Sequence, residues 1–257
     1  MEDWKSSDID VDSLWLISER AKGGKRTNSY HGNFIPQIPY QLIKRYTQSN
    51  DTVLELFTGS GTTLFECETL DRKYIGFDIN KQMIDEIQEK MKDSPMDGFV
   101  LNDCDVTEDK LFPFAMENSL SKLGVKQVDL LLAHPPYLDI VKFTDDPRDL
   151  SHISDVNIFI NKLYTAFALS FPYLKKGGYM GIVMGDIYRD SQVVPLAFYT
   201  MNMIQQNFGV KLKGIIVKNI EGNRGKLGQQ NIWKYRALRS DYYLFKHEYI
   251  FVFKKIR

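Results

Sequence analysis

Short β-rich runs separated by segments of helical spacing are the feature that most narrows the fold of this chain. The runs are 52–57, 73–78, 98–101, 128–133, 179–184, 211–217 and 248–253. Between them, 62–70, 81–92, 157–174 and 195–207 carry apolar residues at the spacing of an amphipathic helix. Strands alternating with helices must pair in parallel through crossovers, so the first five runs predict a doubly wound α/β sheet. The last two break the rhythm. No helical pattern stands out between 218 and 246, which predicts an antiparallel final pair with a long insert at its tip.

At 257 residues the chain has room for one large domain, expected over 29–257 behind an N-terminal extension of residues 1–28. Residues 18–28, with Lys22-Gly23-Gly24-Lys25-Arg26 at their centre, read as a linker. With 43% hydrophobic and 26% charged residues, the composition excludes a disordered chain. Cys67 and Cys104 stand far apart without metal-ligand spacing, so neither a disulfide framework nor a metal site is expected. No apolar run nears the roughly 18 residues of a membrane span, and the expected location is the cytoplasm. The formal net charge is zero but unevenly spread: residues 211–257 hold 12 Lys/Arg against 3 Asp/Glu, leaving 21 against 30 for the rest.

The first run leads into Glu55-Leu56-Phe57-Thr58-Gly59-Ser60-Gly61-Thr62-Thr63. Glycines between a strand and a helix let a ligand approach the backbone closely. The Gly-Lys-Ser/Thr ending of a phosphate loop is missing, as is the third glycine of a dinucleotide fingerprint. Asp78 ends the second run, 21 residues beyond Phe57, where a carboxylate can accept hydrogen bonds from both hydroxyls of a ribose. An adenosine without a pyrophosphate satisfies both observations.

The fourth run ends in His134-Pro135-Pro136-Tyr137. Ligands of such sheets bind beyond the carboxyl ends of the strands, where the strand order reverses. Two prolines fix the backbone there and supply carbonyls without competing N–H groups. An exocyclic amino group is a poor nucleophile because its lone pair is delocalised into the ring. Acceptors at the first side chain and at the Pro135 carbonyl can take its N–H bonds while Tyr137 stacks on the base.

These residues resemble the S-adenosylmethionine site and the Asp/Asn/Ser-Pro-Pro-Tyr motif of the DNA amino-methyltransferases. The resemblance runs from about Asn28 to Lys254. It implies the class I methyltransferase fold, a Rossmann-like, seven-stranded, doubly wound sheet with a reversed last strand. It implies cofactor contacts at Glu55, Phe57, Thr58, Gly59, Ser60, Gly61, Thr62, Asp78 and Ile79. Asp103 would hold the adenine amine, and the segment 30–39, with His31, Asn33 and Phe34, would face the methionine end. His134, Pro135, Pro136 and Tyr137 would form the catalytic motif. His134 departs from the commonest first residue; a neutral imidazole still accepts one hydrogen bond, whereas a protonated one cannot.

The implied reaction is methyl transfer from S-adenosylmethionine to the amino group of a flipped base in double-stranded DNA, adenine N6 ahead of cytosine N4. Neither cysteine follows a proline, which argues against carbon methylation. Recognition falls to residues 219–246, where Arg224, Lys226, Lys234, Arg236 and Arg239 interleave with Trp233 and Tyr235. This insert is small, so a homodimer partner or a separate specificity subunit is also expected. The loop 138–153 is expected to cover the base. An RNA or protein-glutamine methyltransferase, or an inactive DNA-binding subunit, are the alternatives.

Overall fold

The computed structural model describes residues 4–26, 32–220 and 230–257. In chain order its principal elements are β1 (Leu14–Trp15), α1 (Gln37–Tyr46), β2 (Thr52–Glu55), α2 (Thr62–Leu70), β3 (Lys73–Asp78), α3 (Lys81–Met91), β4 (Phe99–Asp103), α4 (Leu111–Leu123) and β5 (Val128–Ala133). They continue with α5 (Val156–Ser170), β6 (Leu174–Met184), β7 (Ile187–Arg189), β8 (Gln192–Val194), α6 (Leu196–Asn207), β9 (Val210–Asn219), α7 (Gln230–Arg239) and β10 (His247–Lys255). Eight of the strands form one sheet, in the order β1-β9-β10-β6-β5-β2-β3-β4.

Strands β2 to β6 run parallel to one another, and β10 lies antiparallel between β6 and β9. Parallel strands are covered on both faces, which accounts for runs such as the fully buried β2. Alternation along β10 shows the two layers: Phe251 and Phe253 pack with Phe112 of α4, Phe159 and Phe167 of α5 and Ile204 of α6, while Ile250 and Val252 join Leu42 of α1, Leu64 of α2 and Ile87 of α3. Among the described residues, no helix is long and apolar enough to cross a membrane.

Strand β2 pairs with β3 on one side and β5 on the other: the chain builds outward from β2 through β3 to β4 and then crosses back to β5, reversing the strand order beside β2. A crevice opens at such a reversal, beyond the strand ends. Strands β2, β3, β4 and β5 therefore deliver Glu55, Asp78, Asp103 and His134 to one edge of the sheet. Two caps fix the helices that leave this edge. Asn80 Oδ1 accepts from Met83 N at 3.3 Å at the start of α3, and Asp186 Oδ1 accepts from Ala197 N at 3.0 Å in the first turn of α6.

Several elements differ from the sequence expectation. An eighth strand, β1, comes from the N-terminal extension and lies parallel to β9; the Asn219 side chain holds Ile17 through both backbone groups, at 2.8 and 3.2 Å. Residues 18–26 are pinned instead of loose, because Arg26 makes a two-pronged bond to the buried Glu66, at 2.6 and 2.9 Å. Helix α4 escapes the pattern because Pro113 sits inside its first turn, a position where a missing N–H costs nothing. The hairpin β7–β8 turns on Asp190 and Ser191, at φ +50° and +60°, without the glycine that usually marks such turns. The insert contains a helix, α7, and is closed at its base by Ile220 N donating to Lys246 O at 2.7 Å.

Candidate cofactor and active site

The glycine loop between β2 and α2 is held from several directions. Gly59 and Gly61 take φ of +52° and +84°, and a side chain on Gly61 would lie 3.1 Å from Ile87. Gly59 N donates to Asp78 Oδ2 at 2.7 Å and Asn80 N donates to Asp78 Oδ1 at 2.8 Å. Each oxygen keeps a lone pair. Burial lifts the Asp78 carboxyl to about 6, with nearby Asp149 and Asp103 adding to the rise against the two amide donors. Asp103 is exposed and stands directly beside Asp78 in the register of β3 and β4.

Glu55 is 1% exposed, and its oxygens accept from Thr63 Oγ1 and Tyr74 Oη, both at 2.6 Å. Tyr74 Oη also lies 3.1 Å from Thr58 Oγ1. Glu55 therefore braces the loop through hydroxyls, and burial raises its carboxyl to about 8 despite them. Thr58 and Ser60 are buried and Phe57 half-buried. Ser60 Oγ has no hydrogen-bond partner among the described residues. A buried hydroxyl left this way calls for a polar ligand group.

Phe34 and Asn33 join this loop to the tetrapeptide. Thr62 Oγ1, in the first residue of α2, donates to Asn33 Oδ1 at 2.6 Å, and Arg20 Nη1 donates to the Phe34 carbonyl at 2.9 Å. The Phe34 ring meets His134 edge-on, with centroids 5.0 Å apart. His134 Nε2 lies 3.0 Å from Tyr137 Oη, which donates to Glu248 Oε2 at 3.2 Å. Glu248 Oε1 in turn accepts from Lys218 Nζ at 3.2 Å. Burial holds His134 below its ordinary value, Glu248 opposing the shift and Lys218 reinforcing it. The Tyr137 ring lies against Gly185, where a side chain would come within 2.8 Å of it. The prolines follow β5 without a cis bond, Pro135 buried and Pro136 half-buried.

The loop after the tetrapeptide is tied into the molecule. Asp139 pairs with Arg189 of β7, Thr144 Oγ1 donates to Asp149 Oδ2 at 2.9 Å, and the Phe143 ring would meet a side chain at Gly32 within 2.9 Å. Farther off, α7 displays Lys234, Arg236 and Arg239 on its exposed surface. The Arg236 guanidinium lies 5.2 Å from the Trp233 ring and that of Arg239 5.6 Å from the Tyr235 ring. His31, Arg224 and Lys226 lie outside the described residues.

The structure thus brings together Asn33, Phe34, the loop 57–62, Asp78, Asp103 and the tetrapeptide, and leaves α7 as a separate surface. Sequence reasoning missed Lys218 and Glu248. Lys218 follows the run 211–217, which has lysines of its own, and Glu248 opens the run 248–253, so neither stands out in the sequence, and only the register of β9 and β10 sets them opposite each other.

Residues 2–89 match the family model described as DNA methylase. The fold is that of the class I methyltransferases. TrmN from Thermus thermophilus superposes with a TM-score of 0.54 at 15% identity, over 87% of this chain and 49% of that one. The N-methyltransferase NodS from Bradyrhizobium japonicum WM9, solved with S-adenosyl-L-homocysteine, gives 0.51 at 9% identity, over 86% of each chain. In sequence, the Type II methyltransferase M.BamHI of Bacillus amyloliquefaciens is 35% identical over 117 residues, 46% of this chain and 27% of that protein. The Type II methyltransferase M.HpaI of Haemophilus parainfluenzae is 42% identical over 70 residues, 27% of this chain and 22% of that protein. The matched stretches thus span about a quarter of these relatives.

Proposed function

We propose that the chain is an S-adenosylmethionine-dependent DNA methyltransferase that modifies an exocyclic amino group of a flipped base. One observation carries the reading: a glycine loop braced by a strand-end acid and a His-Pro-Pro-Tyr motif meet at the reversal of strand order, joined through Asn33 and Phe34. The loop suits this cofactor. It has no lysine or arginine to hold a phosphate, Asp78 has lone pairs left for ribose hydroxyls, and Ser60 Oγ awaits a polar partner. When bound, S-adenosylmethionine supplies a methyl group on a positively charged sulfur. Asp103 would take the adenine amine, Ile79 would flank it, and Phe34 and His31 would face the methionine end.

The chain's own residues do the rest. His134, kept neutral by burial, and the Pro135 carbonyl accept the two N–H bonds of the target amine. That would draw the lone pair out of conjugation with the ring, so that the nitrogen could take the methyl group as the methyl–sulfur bond breaks, leaving a neutral thioether, and give up one of its two protons to the neutral His134 ring. Tyr137 stacks on the base, an interaction worth roughly 1–3 kcal/mol. The domain spans 29–257, and the insert 219–246 supplies contacts to double-stranded DNA, alone or with a second subunit. Adenine N6 is the preferred target over cytosine N4. Nucleoside mass spectrometry of DNA from cells producing the protein tests the reading: a new N6-methyladenine or N4-methylcytosine signal supports it. Unmodified DNA alongside methylated RNA or protein would overturn it.

A further inference from the structure

The pair Lys218 and Glu248 lies outside every motif that led to the proposed function. The two residues face each other across β9 and β10, 5% and 7% exposed, at the root of the insert. A buried ion pair adds little net stability over apolar residues of the same volume, because both charges must be stripped of water. Its geometry gives it another use. Glu248 spends one oxygen on Lys218 and the other on the hydroxyl of Tyr137. A carboxylate can only accept, so Tyr137 must donate its proton to Glu248. The tyrosine oxygen can then only accept from His134 Nε2, 3.0 Å away, which places the histidine proton on Nε2. His134 Nδ1 is left unprotonated, and no described residue bonds to it.

We propose that Glu248, backed by Lys218, is a positioning residue that sets the tautomer of His134 through Tyr137 and so turns Nδ1 into the acceptor for the substrate amine. The inference rests on the proposed methyl transfer for its purpose, but the tautomer itself can be read without any reaction. In Glu248→Gln the amide oxygen turns to the buried ammonium of Lys218, and the amide NH2 turns to Tyr137. The tyrosine hydroxyl must then donate to His134 Nε2, and the histidine proton moves to Nδ1. Removing the cation as well, in Lys218→Met/Glu248→Gln, frees the amide oxygen to accept from Tyr137 again and restores the first arrangement.

Long-range proton–nitrogen NMR on the full chain labelled at histidine distinguishes the tautomers directly. The sequence has four histidines, and the His134 signals are assigned by their loss in His134→Gln. The expected result is the Nε2–H form in wild type, the Nδ1–H form in Glu248→Gln and the Nε2–H form again in the double variant. Single-turnover methylation should follow, at least tenfold slower in Glu248→Gln and recovered in the double variant, with cofactor affinity unchanged. If Glu248→Gln does not fold, Tyr137→Phe carries the test, because loss of the hydroxyl should leave His134 a mixture of both forms. Wild type in the Nδ1–H form, or one tautomer throughout all variants, would overturn the proposal. The predicted tautomers in a protein that methylates no DNA would uphold the positioning network and refute the proposed function instead.

Discussion

If Asp78 holds the ribose of S-adenosylmethionine, cofactor affinity must depend on pH in a way the structure sets. The carboxyl is lifted to about 6 by burial and by the neighbouring acids Asp149 and Asp103. Each oxygen already accepts one backbone N–H, so a ribose hydroxyl needs the second lone pair of an ionised oxygen. Protonation fills one of these positions with a hydrogen. A group titrating near 6 is about nine-tenths ionised at pH 7 and about one-tenth at pH 5, so affinity should drop about tenfold between them. Asp78→Asn should lose one or two charge-assisted bonds of roughly 1.5–3 kcal/mol each, which is at least a tenfold weakening at pH 7. It should also flatten the profile, since the amide does not titrate. Calorimetry with S-adenosylmethionine at pH 5, 6 and 7, on wild type and Asp78→Asn, reads both effects. Equal wild-type affinity at pH 5 and 7, or the same tenfold drop in Asp78→Asn, would show that Asp78 does not bind the cofactor.

Three other outcomes follow from the site and its surroundings. Methyl transfer should fall as pH drops through a value below the usual ~6.5 of histidine; His134→Asn should keep part of the rate and His134→Ala lose about 10²-fold or more, measured in single turnover. Replacing Arg236 and Arg239 by alanine should weaken DNA binding and lower the slope of log affinity against log salt by about 0.9 per lost phosphate contact, leaving cofactor binding intact. Glu55, raised from an ordinary 4.5 to about 8, contributes stability that is full below 4.5 and lost as pH rises through 8, up to roughly 5 kcal/mol; urea unfolding of Glu55→Gln should lack that loss, and parallel profiles would contradict it.

What could be read from the sequence is what local chain chemistry fixes. The run 52–63 declares itself because a buried strand, two glycines at positive φ and a helix start must be contiguous, and His134-Pro135-Pro136-Tyr137 because the prolines act on their own backbone. Contacts set by register leave no such mark. Lys218 and Glu248 are 30 positions apart and meet only because β9 and β10 pair in one alignment. Glu55 has the sequence position of a ligand-facing acid, yet its partners Thr63 and Tyr74 lie on α2 and β3, and their side chains decide what its oxygens do. Strand β1 is two residues long, too short for any alternation to show. Helix α7 lacks an apolar stripe because Ile232, Trp233, Tyr235, Ala237 and Leu238 are spread round its whole circumference among basic residues, so periodicity could not separate it from a loop.

The uneven charge of the chain matches the arrangement of the site. Acids gather where β3 and β4 end, with Asp78 and Asp103 side by side and Asp149 close enough to raise the Asp78 carboxyl. A ligand bearing a positively charged sulfur is favoured by such a field, and one bearing a pyrophosphate is repelled by it. The basic excess lies in residues 211–257, on the strands and helix that carry the insert, where a polyanion is favoured instead. Between the two regions stands His134, kept uncharged by burial and balanced against both members of the Lys218 and Glu248 pair. A positive charge at that position would repel the sulfonium and pair with phosphate. A neutral acceptor avoids both, which is the physical case for a histidine whose ring remains unprotonated at neutral pH.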